Sequence, residues 1–173
     1  FDGIGDGLST TVSIGNSEKV ELIFKGAWPQ SLGGFYTAFT NYLGFHSAEG
    51  EYKLMGMAAY GEPTIPLKHY IDMNNDLNVF ESNLEYWDSK RHTQVNEPNC
   101  NYENIFEFTK VSPFNQAKAE FKQEHFDLAA SVQKHFEDLY IEFISYWQKQ
   151  TGINNIALSG GCALNCIANM KLI

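Results

Sequence analysis

No run of about 18 apolar residues, the length a helix needs to cross a bilayer, occurs in this 173-residue chain, so no membrane span is expected. Positive charge is scarce as well. Twelve Lys and Arg stand against 21 Asp and Glu, a formal net charge of -9. That balance disfavours nonspecific attraction to nucleic acid or to an anionic membrane. Cysteine is sparse and odd in number: Cys100, Cys162 and Cys166. Such a set argues against a disulfide framework and fits a reducing, cytoplasmic setting. The opening FDGIGDGLST has neither the basic flank nor the apolar stretch of a signal peptide. Histidines stand at 46, 69, 92, 125 and 135, without ligand spacing and with no HxxxH. No nucleophile constellation is visible either, because Ser159 has no evident base partner. No catalytic side chain is assigned.

What is present reads as α/β. TTVSIG (10–15) and VELIF (20–24), joined by the turn-forming NSEK, predict an antiparallel hairpin. DGIGDGLS (2–9) precedes it, a glycine-rich turn with two aspartates. It has two readings: a plain tight connection, or a loop that admits phosphate or metal close to the backbone. SLGGFYTAFTNYLGF (31–45) places Leu32, Phe35, Tyr36, Phe39, Tyr42 and Leu43 on one helical face, with Ser31 as N-cap and Gly44 as stop. Gly33 and Gly34 cost that helix roughly 1 kcal/mol each against alanine, so something else needs them: close packing or a ligand near the backbone.

EGEYKLMGMAAYGEP (49–63) is either a short amphipathic helix ended by Gly61 and Pro63, with methionines as core filler, or a site segment using Glu51 or Lys53. Residues 64–123 read as an irregular insertion packed on the domain. They hold Pro66, Pro98 and Pro113 and too many aromatics for disorder. Within them, 78–87 reads as a strand pair or edge element and 91–104 as loop. The clearest element is a long helix over 124–152, with a stripe through Leu128, Val132, Phe136, Leu139, Phe143 and Trp147. INNIALSGG (153–161) then predicts a short buried parallel strand running into two glycines, and CALNCIANMKLI resumes helical spacing. Phe1 and Asp2 read as the end of a strand already under way, and 171–173 lies in a helical pattern without a stop. The chain is therefore expected to be a piece of a longer protein.

The SGG turn lies where ligands bind in open α/β sheets, beyond the carboxyl end of a strand. Gly160 and Gly161 leave backbone exposed there, and Asn165, one turn into the helix, is a candidate partner for a base, ribose or phosphate. The alternative is a tight turn with a polar residue on a solvated face. Cys162 and Cys166, at i and i+4, read as buried helix cysteines rather than half a metal site.

DGIGDGLSTTV (2–12), SLGGFYTAFTNYLGF (31–45), EGEYKLMGMAAYGEP (49–63) and LSGGCALNCIAN (158–169) resemble, in order, signature segments of the O-carbamoyltransferases that act on nodulation factors and antibiotics. FDLAASVQKHFEDL (126–139) resembles that family's long helix. The resemblance implies a partial actin-like, ribonuclease-H-like ATPase lobe, related to the tRNA threonylcarbamoyl transferases. It implies carbamoyl phosphate and ATP as substrates, a carbamoyl-adenylate intermediate, and an acceptor hydroxyl on a sugar or natural product. It also implies an iron-type divalent metal with Asp2 as a ligand, and Gly160, Gly161 and Asn165 flanking the adenylate. The family's HxxxH is expected upstream and a further metal-binding Asp downstream. Asp6 stands where many relatives have Glu. Two other readings remain: an actin-like sugar or acid kinase, which would release ADP, and a noncatalytic nucleotide-binding scaffold.

Overall fold

The computed structural model describes residues 1–47, 49–74, 79–86, 101–115 and 120–172. In order, the chain forms β1 (Leu8–Gly15), β2 (Val20–Ala27), α1 (Leu32–Tyr42), α2 (Glu51–Met57), β3 (Ile71–Asn74), β4 (Val79–Ser82), α3 (Tyr102–Thr109), α4 (Gln123–Thr151) and α5 (Cys166–Met170). The two sheets are small antiparallel pairs, β1–β2 and β3–β4. The architecture is thus mixed α/β, organised around one long helix.

The hairpin expected at 10–24 is present and longer at both ends. Its register runs from Leu8 opposite Ala27 to Gly15 opposite Val20, with irregularities near Thr10 and Ser13. Helix α1 starts as the capping pattern predicts: the Ser31 hydroxyl accepts the Gly34 N–H at 2.9 Å. It ends at Gly44, whose φ of 76° is the left-handed conformation glycine adopts cheaply. Helix α4 likewise ends at Gly152, with φ 68°.

The core lies where α1 and α4 pack together. Leu32, Phe35, Phe39 and Tyr42 from α1 meet Leu128, Val132, Phe136 and Phe143 from α4, all essentially inaccessible to solvent. Burying large aromatic and aliphatic side chains contributes about 1.5–3 kcal/mol each, which outweighs the propensity cost of the glycines in α1. The stretch at 64–123 also enters this core, through Leu67, Tyr70, Ile71, Phe80, Ile105 and Val111. The expected loop at 91–104 falls largely outside the described residues; its last part begins α3, capped by the Asn101 side chain on the Asn104 N–H at 3.2 Å.

One expected element differs. Residues 153–159 carry no strand, and Ile153 and Ile156 are 40% and 45% exposed rather than buried. A strand exists only with a neighbour that takes up its backbone groups. Among the described residues only Phe1 supplies one. Its N–H donates to the Ser159 carbonyl at 2.9 Å, and its carbonyl accepts the Cys162 N–H at 3.3 Å.

Candidate functional site

The glycine-rich opening divides into two halves with different jobs. Gly5 and Leu8 exchange backbone hydrogen bonds of 2.8 and 2.9 Å around Asp6 and Gly7. Asp6 and Gly7 have φ of 51° and 79°. Positive φ at both central positions is the tight hairpin geometry that an Asp-Gly pair favours. Asp6 is therefore an exposed turn residue, and this half is a plain connection.

The other half is anchored on α1. The Asp2 N–H donates to the Ser9 carbonyl at 2.9 Å. The buried Ser31 hydroxyl, already capping α1, lies 3.1 Å from the Asp2 carbonyl and 2.7 Å from that of Gly3. Gly33 is the seat. A Cβ there would stand 2.6 Å from the Asp2 carbonyl carbon and 2.6 Å from the Gly3 nitrogen. That explains a glycine inside the first turn of a helix: the Asp2–Gly3 peptide lies directly on it. The backbone is held at three points while the Asp2 side chain stays exposed. One oxygen, Oδ1, accepts the Gly3 N–H at 2.7 Å.

The fold brings the two ends of the chain together at this turn. Gly160 has φ 91°, and a Cβ on it would lie 2.0 Å from the Phe1 carbonyl oxygen. Gly161, beside it, would place a Cβ 3.4 Å from Asp2 Oδ1. Asp2, Gly160 and Gly161 thus share one exposed surface. The two glycines differ in kind: Gly160 is required by the backbone, whereas Gly161 borders the carboxylate.

After the glycines the chain makes a single tight 3-10 turn, Gly161–Leu164, and α5 starts only at Cys166. Asn165 is therefore the N-cap of α5, not a residue one turn into it. Its short polar side chain competes for the helix's first free donors, and its Oδ1 accepts the Ala168 N–H at 3.0 Å. The same oxygen accepts Gln133 Nε2 at 3.0 Å, and Asn165 Nδ2 donates to Gln133 Oε1 at 3.0 Å. Tyr36 donates its hydroxyl to Gln133 Oε1 at 2.7 Å. Burial, then the Glu137 and Glu51 carboxylates, hold that phenol well above its ordinary value.

Cys162 is buried, and burial pushes its thiol up to about 12, with the Asp2 carboxylate adding to the shift. Burial of this kind favours the thiol over the thiolate. Cys166, expected to be buried with Cys162, is exposed on α5. Glu51 opens α2, with Oε1 accepting the Thr37 hydroxyl at 2.9 Å and Oε2 the Gly50 N–H at 3.2 Å. Its charge is felt at Tyr36 and Cys162, on the inner side of the same turn. Lys53 is on the outside, its Nζ 5.8 Å from the Tyr52 ring centroid. The sequence gives no sign of Ser31's contacts with the turn and little of Gln133, and it shows Tyr36 only as part of the apolar face of α1. Gln133, Glu137 and Tyr140, at i, i+4 and i+7 of α4, are the one signal that would have found a polar stripe beside the apolar one.

Among the described residues, no group of three or more His, Cys, Asp and Glu is placed to hold a metal ion. Asp2 offers one hard oxygen donor on a fixed backbone, which suits a divalent cation but does not complete a site. No helix among the described residues is long and apolar enough to cross a membrane.

The chain resembles known proteins over its whole length. The family described as the carbamoyltransferase N-terminus matches residues 1–173. The Synechocystis protein sll1178 is 33% identical over all of this chain and 28% of its own length. The nodulation protein NolO of Bradyrhizobium diazoefficiens is 32% identical over all of this chain and 29% of its own length. NolNO of Sinorhizobium fredii is 30% identical over all of this chain and 23% of its own length. This chain therefore spans 23–29% of the length of these relatives, and with a family match from its first residue to its last it belongs to the carbamoyltransferase N-terminal family.

Proposed function

We propose that the full protein is an ATP-dependent O-carbamoyltransferase of the cytoplasm, and that this chain supplies part of its actin-like lobe. Carbamoyl phosphate would lose its phosphoryl group to water, giving carbamate and inorganic phosphate, and a carbamate oxygen would attack the α-phosphorus of ATP to give carbamoyl-adenylate and pyrophosphate. The oxygen of an acceptor hydroxyl, on a sugar or natural product, then attacks the carbamoyl carbon. The bond to the AMP oxygen breaks, the hydroxyl proton is lost to solvent or a base, and AMP leaves. Activation as a mixed anhydride supplies the leaving group that a carbamoyl group otherwise lacks.

The observation that carries this reading is the closeness of the Asp2 carboxylate to Gly161, where an added Cβ would stand 3.4 Å from Oδ1, on an exposed surface. In the proposal, Gly161 lets the nucleotide approach the backbone, while Gly160, seated on the Phe1 carbonyl, and Asn165 hold the turn that flanks it. Asp2 is one ligand of a divalent, iron-type metal whose other ligands come from outside the described residues. The metal would stabilise negative charge on the phosphate oxygens. The anchoring of the Asp2 backbone by Ser31 and Gly33 holds that carboxylate ready without a reorganisation cost at the moment of binding. The Phe1 hydrogen bonds to Ser159 and Cys162 run in the sense of a parallel ladder, which supports an actin-like sheet whose further strand lies outside the described residues.

The test uses the full protein with ATP, carbamoyl phosphate and a hydroxyl acceptor. Appearance of AMP and pyrophosphate, dependent on carbamoyl phosphate, is expected. ADP formed with a phosphorylated acceptor would instead establish a kinase. In parallel, Asp2→Asn is expected to lower bound metal and turnover with the fold intact. Equal metal content and equal activity would return Asp2 to a plain turn residue.

A further inference from the structure

Helix α4 presents a polar stripe to α5 on an otherwise apolar face. Gln133 is 5% exposed and Glu137 3% exposed. Gln133 and Asn165 pair their side-chain amides at two points, each donating to the other at 3.0 Å. Gln133 Nε2 also donates to Glu137 Oε1 at 2.7 Å, and Glu137 Oε2 is paired with Lys171 at the far end of α5. Tyr140 donates to Asn169 Oδ1 at 3.2 Å, and Asn169 Nδ2 donates to the Ala163 carbonyl at 2.8 Å. The helix and the 3-10 turn before it are therefore tied to α4 at the start, middle and end.

Stability alone does not call for this arrangement. Packing α5 on α4 through apolar side chains would avoid desolvating an amide pair and a carboxylate, and such replacements are often neutral or stabilising. What a two-point amide pair supplies is direction. It admits one orientation of the Asn165 side chain, since turning that amide over would set donor against donor and acceptor against acceptor. The Glu137 carboxylate, paired with Lys171, fixes the Gln133 end in turn: it only accepts, so it requires the amide nitrogen of Gln133 and leaves Oε1 to take the Tyr36 hydroxyl.

We infer that Gln133 is a positioning residue for the Gly160–Asn165 turn: it acts through Asn165 to hold the turn's backbone in the orientation that meets a nucleotide beside Asp2. This rests on the nucleotide reading of the turn given above. Gln133 itself touches neither substrate nor metal.

The test is a double-mutant cycle in the full protein, read by calorimetric titration with AMP beside thermal melting. Gln133→Met keeps the volume and removes the amide. It is expected to weaken AMP binding about tenfold, and Asn165→Ala to do the same. The double variant is expected to be no weaker than either single one, since residues acting through one contact are not additive. Tyr36→Phe, which removes one hydrogen bond to Gln133 and keeps the ring, is expected to weaken binding a few-fold in the wild-type background and not at all beside Asn165→Ala. It carries the test should Gln133→Met fail to fold. A lower melting temperature with unchanged AMP affinity in the folded fraction would overturn the inference, as would additive losses in the double variant. Should Asn165→Ala and Gly161→Val both leave AMP affinity unchanged, the nucleotide reading itself falls and takes the inference with it.

Discussion

Replacing Gly33 by alanine sets two effects of known sign against each other. Alanine favours a helix over glycine by about 1 kcal/mol, so on propensity alone Gly33→Ala stabilises α1. The structure argues the opposite. The new methyl would stand 2.6 Å from the Asp2 carbonyl carbon, 2.6 Å from the Gly3 nitrogen and 2.7 Å from the Asp2 carbonyl oxygen. All three are backbone atoms, tied by Ser31 and Ser9, and none can swing aside as a side chain would. Overpacking of this kind costs about 1–3 kcal/mol, so the net effect is a loss of up to about 2 kcal/mol. The melting temperature of a unit this size moves by about 2–4 °C per kcal/mol, which predicts a fall of several degrees. Gly56 is the internal control. It lies in α2, is exposed, and a Cβ on it meets nothing within 4 Å. Gly56→Ala is expected to raise the melting temperature by about 2–4 °C, from the same propensity term. The assay is a thermal melt of both variants, with metal analysis, since a displaced Asp2–Gly3 peptide should also reduce bound metal. A Gly33→Ala protein that melts at or above the wild type would refute the claim that α1 seats the Asp2 turn.

The two glycines of the SGG turn are expected to respond differently. Gly160→Val should fail to fold, because its φ of 91° and the Phe1 carbonyl leave no room; a soluble variant melting like the wild type would refute this. Gly161→Val should fold and bind AMP more weakly, since its side chain crowds only the Asp2 carboxylate and the ligand face; calorimetry beside a melting curve separates the two losses. Gly61→Ala should be more destabilising than Gly33→Ala, as its Cβ would lie 2.0 Å from the Phe126 carbonyl oxygen at the start of α4, and equal melting temperatures would count against it. His135 is held below its ordinary 6.5, chiefly by burial, which outweighs the Ile71 carbonyl and the Asp72 and Asp138 carboxylates; Lys68 adds to the lowering. The unfolded chain then binds more protons, so the His135 contribution is complete above pH 6.5 and is lost as pH falls below it. Denaturant titrations of wild type and His135→Gln between pH 8 and 5 should converge as pH falls, and parallel curves would show that His135 does not titrate this way.

The parts of the fold that depend on neighbours along the chain are legible in the sequence by itself. Ser31 caps α1 because a short hydroxyl reaches the donor three residues on. Gly152 ends α4 because glycine takes positive φ at little cost, and Asp6-Gly7 turns tightly for the same reason. The apolar stripes of α1 and α4 follow from the 3.6-residue period alone. Family membership is legible too, because its signature segments are local strings.

Whatever depends on a partner distant in the chain is not. Residues 153–159 have the composition of a buried strand, yet among the described residues only Phe1 exchanges a backbone hydrogen bond with them, so no ladder forms. Asn165 reads as a helical residue with a free amide; in the fold its own side chain caps the start of α5, and Gln133 occupies the rest of that amide. Above all, nothing in the spacing of Asp2, Gly33 and Gly161 says that one peptide will lie on the second and one carboxylate beside the third. Those contacts join the two ends of the chain. They are decided by how α1 and α4 bury their aromatic faces, which is a property of packing in three dimensions and not of any local run of residues.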